Sequence, residues 1–183
     1  MGHLSVIEHS LASFHIAGVS RAFSHELVRH RHLSFSQLSQ RYVDERDEPV
    51  VEPLAIADDP QLRELFAEHA ERSREAYGRI VERLDEKFAD VKAVTDRRKL
   101  ARQAARFVLP NATQTEIVVS GNFRAWRHFL MLRCSPHAEA EIRAVGMKVL
   151  AILERQAPAI FGDYERLTAP DGSVAARPTL VEE

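Results

Sequence analysis

Scarcity narrows the possibilities for this chain of 183 residues before any motif is read. It has one cysteine, Cys134, which excludes a disulfide framework and any cysteine cage for zinc. It has no long apolar run: the best, Val149 to Leu153, is five residues, against the roughly 18 needed to cross a bilayer. It has no excess of either charge, with 25 basic and 27 acidic side chains and a formal net charge of −2, which argues against a general nucleic-acid binder. The opening Met1-Gly2-His3-Leu4-Ser5 has no basic segment leading into an apolar one, so the expected location is the cytoplasm. Lysine is also scarce: there are 4, against 21 arginines and 9 histidines. Lysine would serve as well for solubility, so this bias points to planar, bidentate recognition of a few local phosphates or carboxylates. With 45% hydrophobic and 28% charged residues the chain is no disordered segment, and its length suits one domain with its own core.

Periodicity gives a first outline. Leu11 to Ala17 reads as a strand broken at Gly18, and Ser20 is placed to cap a helix over about 21–31. Leu33 to Tyr42 alternates and reads as extended; 44–53 reads as a charged loop with two prolines. Asp59-Pro60 is an N-cap followed by proline at the first helical position, and apolar residues keep helical spacing from Leu62 to Phe88, giving one long amphipathic helix. Further helices are expected over 96–108, from Gly121-Asn122 to Arg133, and from a Ser135-Pro136 cap until Pro158 ends it. Thr115 to Ser120 reads as a strand, and Leu167 to Glu183 as a small hairpin or a loose tail.

Three clusters carry possible chemistry. In the first, Arg29-His30-Arg31-His32 precedes Gln37, Ser39 and Arg41, which would project to one side of an extended segment. An amide, a hydroxyl and a guanidinium suit a nucleotide; a solvated basic turn is the other reading. In the second, Arg98, Arg102 and Arg106 stack at four-residue spacing, so an anion or carboxylates from elsewhere must relieve their repulsion. In the third, Arg124 and His128 share a helix face opposite Phe123, Trp126, Phe129 and Leu130, as any basic amphipathic helix would place them. His25-Glu26 with His30 imitates a zinc-protease motif, but the histidines stand five residues apart where four are needed, so no metal is expected. Ser39 has no histidine placed by sequence to act as its base, which favours a phosphate contact over a nucleophile.

Together the clusters resemble one family. Arg29-His30-Arg31, seven residues, then Ser39 is similar to the RHR-x7-S signature of flavin-dependent thymidylate synthases. Ser39-Gln40-Arg41-Tyr42 continues the resemblance, as do Arg106 ahead of Leu109-Pro110-Asn111-Ala112, and Gly121-Asn122-Phe123-Arg124 with Trp126, Arg127, His128 and Arg133. The likeness runs from His3 to about Tyr164.

The resemblance implies an α/β (α+β) fold, a single domain over 1–183 with a twisted, mainly antiparallel sheet wrapped by helices, assembled as a homotetramer. It implies reductive methylation of dUMP to dTMP, with methylenetetrahydrofolate as carbon donor, NADPH as reductant and FAD as hydride carrier. Ser5, Arg29, His30, Arg31, Gln37, Asn122, Phe123, Arg124 and His128 would contact FAD. Glu26, Leu27, Val28, Arg29, Gln37, Leu38, Ser39, Gln40, Arg41, Arg106 and Arg133 would surround dUMP, with Arg133 in the catalytic role. Cys134 would be structural, and neither nucleic acid, membrane nor another protein is implied as a partner. Members usually carry a strand and helix ahead of the segment matching His3, so the resemblance implies a start assigned late, a truncated chain or a shortened member, with weakened folding or activity expected of the 183-residue form. The alternative class is an FAD- or nucleotide-binding subunit that has lost activity and survives as an assembly partner.

Overall fold

The computed structural model describes residues 3–180. The chain is mixed α/β, in the order β1 (Leu11–Ser20), α1 (Arg21–Leu27), β2 (Ser34–Gln37), α2 (Pro60–Lys87), α3 (Val94–Ala105), β3 (Gln114–Asn122), α4 (Phe123–Arg133), α5 (Ala140–Gln156), α6 (Pro158–Phe161), β4 (Tyr164–Thr168) and β5 (Val174–Pro178), with short 3-10 turns at Leu4–His9, Leu54–Ile56 and Arg106–Val108. One sheet has the order β1-β3-β2 and the other pairs β4 with β5. Among the described residues no helix is long and apolar enough to cross a membrane.

The internal contacts form two compact units: residues 3–15, 23–36 and 118–180, and residues 16–22 and 37–117. The core of the first is aromatic. Trp126 is fully buried, with Phe14 edge-on at 5.0 Å and Phe129 at 5.6 Å, and its indole N–H donates to the Ala12 carbonyl at 3.1 Å. The core of the second joins Tyr77 and Val81 of α2 to Ala101 and Ala105 of α3. Alanines on α3 let the two helices approach closely enough to bury the tyrosine ring.

The long helix starts where the sequence places it. Asp59 accepts hydrogen bonds from the N–H groups of Gln61 (2.9 Å) and Leu62 (3.1 Å), and Pro60 opens the helix. The first strand does not break at Gly18 as expected but passes through it, in the left-handed region at φ +70°, and ends at Ser20. Four other expectations are corrected. The helix after Ser20 stops at Leu27 rather than about 31, because Arg29 and His30 donate three residues back, to Glu26 and Leu27, in a tightened turn. The extended segment ends at Gln37 rather than Tyr42: the Ser39 carbonyl accepts from both Tyr42 and Val43 N–H, so Gln37, Ser39 and Arg41 do not project with period two. The helix expected over 96–108 runs from Val94 to Ala105 and tightens into a 3-10 turn, since Pro110 holds Leu109 extended at ψ 140°. The fourth is at α5, whose cap is Glu139, accepting from Glu141 (2.9 Å) and Ile142 (3.1 Å), while Ser135 closes a turn upstream. Pro158, expected as a terminator, also opens α6.

Of the two readings of the C-terminal stretch, the hairpin is the one formed. Strands β4 and β5 pair antiparallel from Tyr164↔Pro178 to Thr168↔Val174, with Gly172 in the left-handed region at φ +78°. Residues 181–183 of that stretch lie outside the described residues.

Candidate functional site

In the first unit, α1 carries Glu26, the turn after it carries His30, and the last turn of α4 carries Arg133. The Arg133 guanidinium donates through Nε to His30 Nε2 at 2.9 Å and through Nη1 to Glu26 Oε2 at 2.6 Å. Two of its directions are therefore fixed by groups 103 and 107 residues away in sequence. An imidazole nitrogen that accepts from a guanidinium cannot itself carry a proton, so His30 is neutral in this arrangement. Burial, then Arg133, then His128 lower its pKa from 6.5 to about 4.

This fixes a sign for stability against pH. The folded pKa lies below the unfolded one, so as pH falls through about 6.5 the unfolded chain takes up a proton first, and stability drops until about pH 4. For a half-buried imidazole the loss should be on the order of 1–3 kcal/mol. Urea unfolding of the ligand-free protein at pH 7 and pH 4.5 should show a larger drop than in His30→Gln, which keeps an acceptor but cannot be protonated. Equal drops in the two proteins would show that His30 does not carry this effect.

His30 also leads to a cavity. Its ring lies 5.1 Å from Phe129 and 6.4 Å from His128, and His128 in turn lies 6.4 Å from His32. His128 and His32, with Glu8, Asn122, Arg124 and Ala125, line a cavity of about 500 Å³. Asn122 is the N-cap of α4, accepting from Ala125 N–H at 2.8 Å, so the cavity wall includes the positive end of an 11-residue helix. Arg124 meets Glu8 at 2.5 Å. Glu8 and His32 are absent from the set chosen by sequence. His32 continues the alternating Arg-His run and was legible there; Glu8 has no local signal. Ser5 lies exposed on the Leu4–His9 turn. Phe123 packs edge-on against Phe161 at 5.2 Å, while Val28, Arg29 and Arg31 are exposed. Leu27 is fully buried, so its side chain serves the core and only its backbone is left to meet a ligand.

In the second unit Gln37 donates to the Thr115 hydroxyl at 3.3 Å, and Leu38 N–H donates to the Glu116 carbonyl at 3.0 Å, tying the end of β2 to β3. The turn that follows carries Ser39, buried Gln40 and half-buried Arg41. Arg102 donates to the Tyr42 carbonyl at 2.6 Å and meets Asp44 at 3.3 Å, while Arg97 meets Asp85 at 2.8 Å; Arg98 is exposed. Of the stacked arginines, Arg102 is thus relieved by a carbonyl and a carboxylate from another segment. Arg106 is half-buried on the 3-10 turn, and its charge acts on Arg21, whose own pKa burial lowers.

Cys134 is fully buried and burial pushes its thiol up to about 12, far from a reactive thiolate. A methyl group added at Gly146 would stand 3.2 Å from its sulfur, so the thiol fills close-packed space. Among the described residues no group of three or more His, Cys, Asp or Glu side chains could hold a metal ion.

Comparison with known proteins bears on what these arrangements are for. The family described as "Thymidylate synthase complementing protein" (Thy1) matches residues 1–159. The chain belongs to that family, the flavin-dependent thymidylate synthases. It is 52% identical over all 183 residues to the flavin-dependent thymidylate synthase of Mycobacterium avium, 53% to that of Mycobacteroides abscessus and 51% to that of Mycobacterium tuberculosis, covering 73% of each. The fold is also that of the flavin-dependent thymidylate synthase ThyX from Helicobacter pylori, whose crystal structure is a complex with FAD and dUMP. The TM-score is 0.64 at 23% identity, over 88% of this chain and 76% of that one. Within the flavin-dependent thymidylate synthase chain the family match takes in every element through α5 and stops ahead of the β4–β5 hairpin.

Proposed function

We propose that this protein converts dUMP to dTMP, with methylenetetrahydrofolate as carbon donor, NADPH as reductant and FAD as the hydride carrier, and that residues 1–183 act as one catalytic domain within a homotetramer. One observation carries the reading: Arg133 is a half-buried guanidinium held in place by a neutral imidazole and a carboxylate, and His30 in that set adjoins the cavity through His128. A fixed cation of this kind suits a reaction in which negative charge develops on a uracil ring.

The residues present suit the flavin cofactor. Arg124 and the N-terminus of α4 offer positive charge to a pyrophosphate, and Asn122, His128 and His30 offer ring nitrogens and an amide to a flavin edge. FAD, when bound, supplies the hydride chemistry that side chains lack. Arg29, Arg31, Gln37, Ser5 and Phe123 complete its contacts in this reading. Ser39, Arg41 and Arg106, with the backbone of Gln40 between the first two, take the dUMP phosphate, which needs a hydroxyl and planar donors and is met here by a tight turn and a half-buried guanidinium. Glu26, Leu27, Val28, Arg29, Gln37 and Leu38 border the nucleoside.

The test is direct. Purified protein should be yellow, release FAD on heat denaturation, and form dTMP from dUMP with methylenetetrahydrofolate and NADPH. Colourless protein that binds no added FAD would overturn the reading. Flavin binding without dTMP formation would favour an FAD-binding assembly partner instead.

A further inference from the structure

Glu45 carries the most buried carboxylate in the chain's charged loop, and nothing in the chemistry proposed above uses it. Its side chain is 1% exposed, and one carboxylate oxygen, Oε2, has no hydrogen-bond partner. Arg21 stands 3.9 Å from the other oxygen, too far for a close ion pair, and burial raises the Glu45 pKa in spite of Arg21. A carboxylate buried under these terms costs stability that an apolar side chain of the same volume would not. Its retention calls for a role other than stability.

The neighbours of Glu45 define that role. The Gln40 side chain, itself buried, faces the Glu45 carboxylate and favours its ionised form. Arg21, facing the same carboxylate, donates through Nη2 to the Leu38 carbonyl at 2.9 Å. Glu45 N–H donates to the hydroxyl of Tyr77, which is fully buried in the α2–α3 core. The carboxylate therefore reaches both sides of Ser39, Gln40 directly and Leu38 through Arg21, and its own backbone is anchored in the core. Between these ties the Ser39 carbonyl accepts from Tyr42 and Val43, and Ser39 Oγ lies 3.4 Å from Arg41 N–H.

We propose that Glu45 is a positioning residue for the nucleotide substrate, holding the turn Leu38–Arg41 from its buried side so that Ser39 and Arg41 present a preformed phosphate site. This rests on the assignment of that turn to dUMP. The carboxylate touches no ligand; it fixes the Gln40 amide inward and keeps Arg21 on the Leu38 carbonyl. A loop ordered before binding spares the ordering cost at binding, so losing the tie should weaken substrate affinity selectively.

The experiment uses the FAD-loaded full chain and measures dUMP binding by calorimetry, beside KM and kcat for dTMP formation. Glu45→Ala should raise the dUMP Kd and KM about tenfold, the scale of one lost hydrogen bond to a charged group, with kcat and FAD affinity within about twofold of wild type. Glu45→Asp keeps the charge but withdraws it from Gln40, and should raise the same constants about three- to fivefold. Glu45→Gln keeps length and an acceptor and should restore affinity to within about twofold. If Glu45→Ala does not fold, the Asp and Gln pair carries the test. Wild-type affinity in both the Ala and Asp variants, or equal losses of dUMP and FAD binding, would overturn the proposal. A wild-type protein that binds FAD but no dUMP would overturn the assignment of the turn itself; wild-type dUMP binding that Glu45 variants leave untouched overturns this inference alone.

Discussion

Replacing Arg133 by alanine is expected to lower dTMP formation by about 100- to 1,000-fold while leaving FAD bound, the range seen when one fixed donor is removed from a developing charge. Of the flavin contacts proposed here on α4, Asn122 and Arg124 lie at its start and His128 at its middle, whereas Arg133 ends the helix and meets the set only through His30, its other bond going to Glu26. Arg133→Lys should recover little. A lysine ammonium is a single point donor and cannot hold Nε on His30 and Nη1 on Glu26 together, so its charge would not be fixed where it is needed. A second signature accompanies the loss. Arg133 is the largest charge effect holding the His30 pKa down, after burial, so Arg133→Ala should raise the His30 pKa from about 4. Proton NMR titration of the ring reads that shift independently of turnover. Turnover within tenfold of wild type in Arg133→Ala, or loss of the flavin with it, would remove Arg133 from the catalytic role.

The elements most legible in the sequence were those whose signals are local. Asp59-Pro60 announced α2 because the cap, the proline and the apolar stripe all lie on one short stretch, and the Asp59 carboxylate makes the two bonds such a cap should make. The turn after Gln37 was hidden because Leu33-Ser-Phe-Ser-Gln-Leu-Ser continues to alternate past the point where the strand ends. What ends it is the Ser39 carbonyl gathering two N–H groups, together with Arg21 on Leu38 and Glu45 on Gln40, none of which leaves a mark on the local pattern. The start of α5 was misplaced for a similar reason. Arg143 reaches back from inside the helix to the Pro136 carbonyl at 3.3 Å and to the Ala138 carbonyl at 2.5 Å, fixing a turn where Ser135-Pro136 looked like a cap.

The candidate site divides the same way. Arg29-His30-Arg31 and Asn122-Phe123-Arg124 stand out as motifs, but the pairing of Arg133 with Glu26 spans 107 residues and no composition argument could anticipate it. The arginine excess is explained only partly by ligands. Arg102, Arg127 and Arg143 are held by this chain's own carbonyls and carboxylates, so planar recognition in this protein includes recognition of itself.

Arg127 gives that self-recognition its largest expected cost. In the first unit its guanidinium meets Asp163 through two parallel bonds, at 2.7 and 3.0 Å, with side chains 7% and 14% exposed. It also donates to the Ile160 carbonyl and lies 5.5 Å from the centre of the Tyr164 ring, whose hydroxyl returns a bond to the Arg127 carbonyl at 3.1 Å. Asp163 also serves the chain end, its backbone carbonyl accepting from Thr179 and its carboxylate from Leu180 N–H. Asp163→Ala would leave a guanidinium buried without its carboxylate, and should destabilise the protein by about 3–5 kcal/mol. For a chain of this size that is roughly 6–20 °C in Tm. The double change Arg127→Met with Asp163→Leu removes both charges together and should sit within about 1–2 kcal/mol of wild type, because no uncompensated charge is then buried. pH supplies the sign. Burial raises the Asp163 pKa, but the Arg127 bonds outweigh it and hold the carboxyl below its ordinary value. The pair's contribution is thus fully present above the ordinary carboxylate range and lost as pH falls through the depressed folded value. Wild type and Asp163→Ala should therefore converge in acid. If calorimetry gives them parallel Tm profiles down to pH 3, or finds the double variant as unstable as Asp163→Ala, the cost belongs to lost packing rather than to a stranded charge.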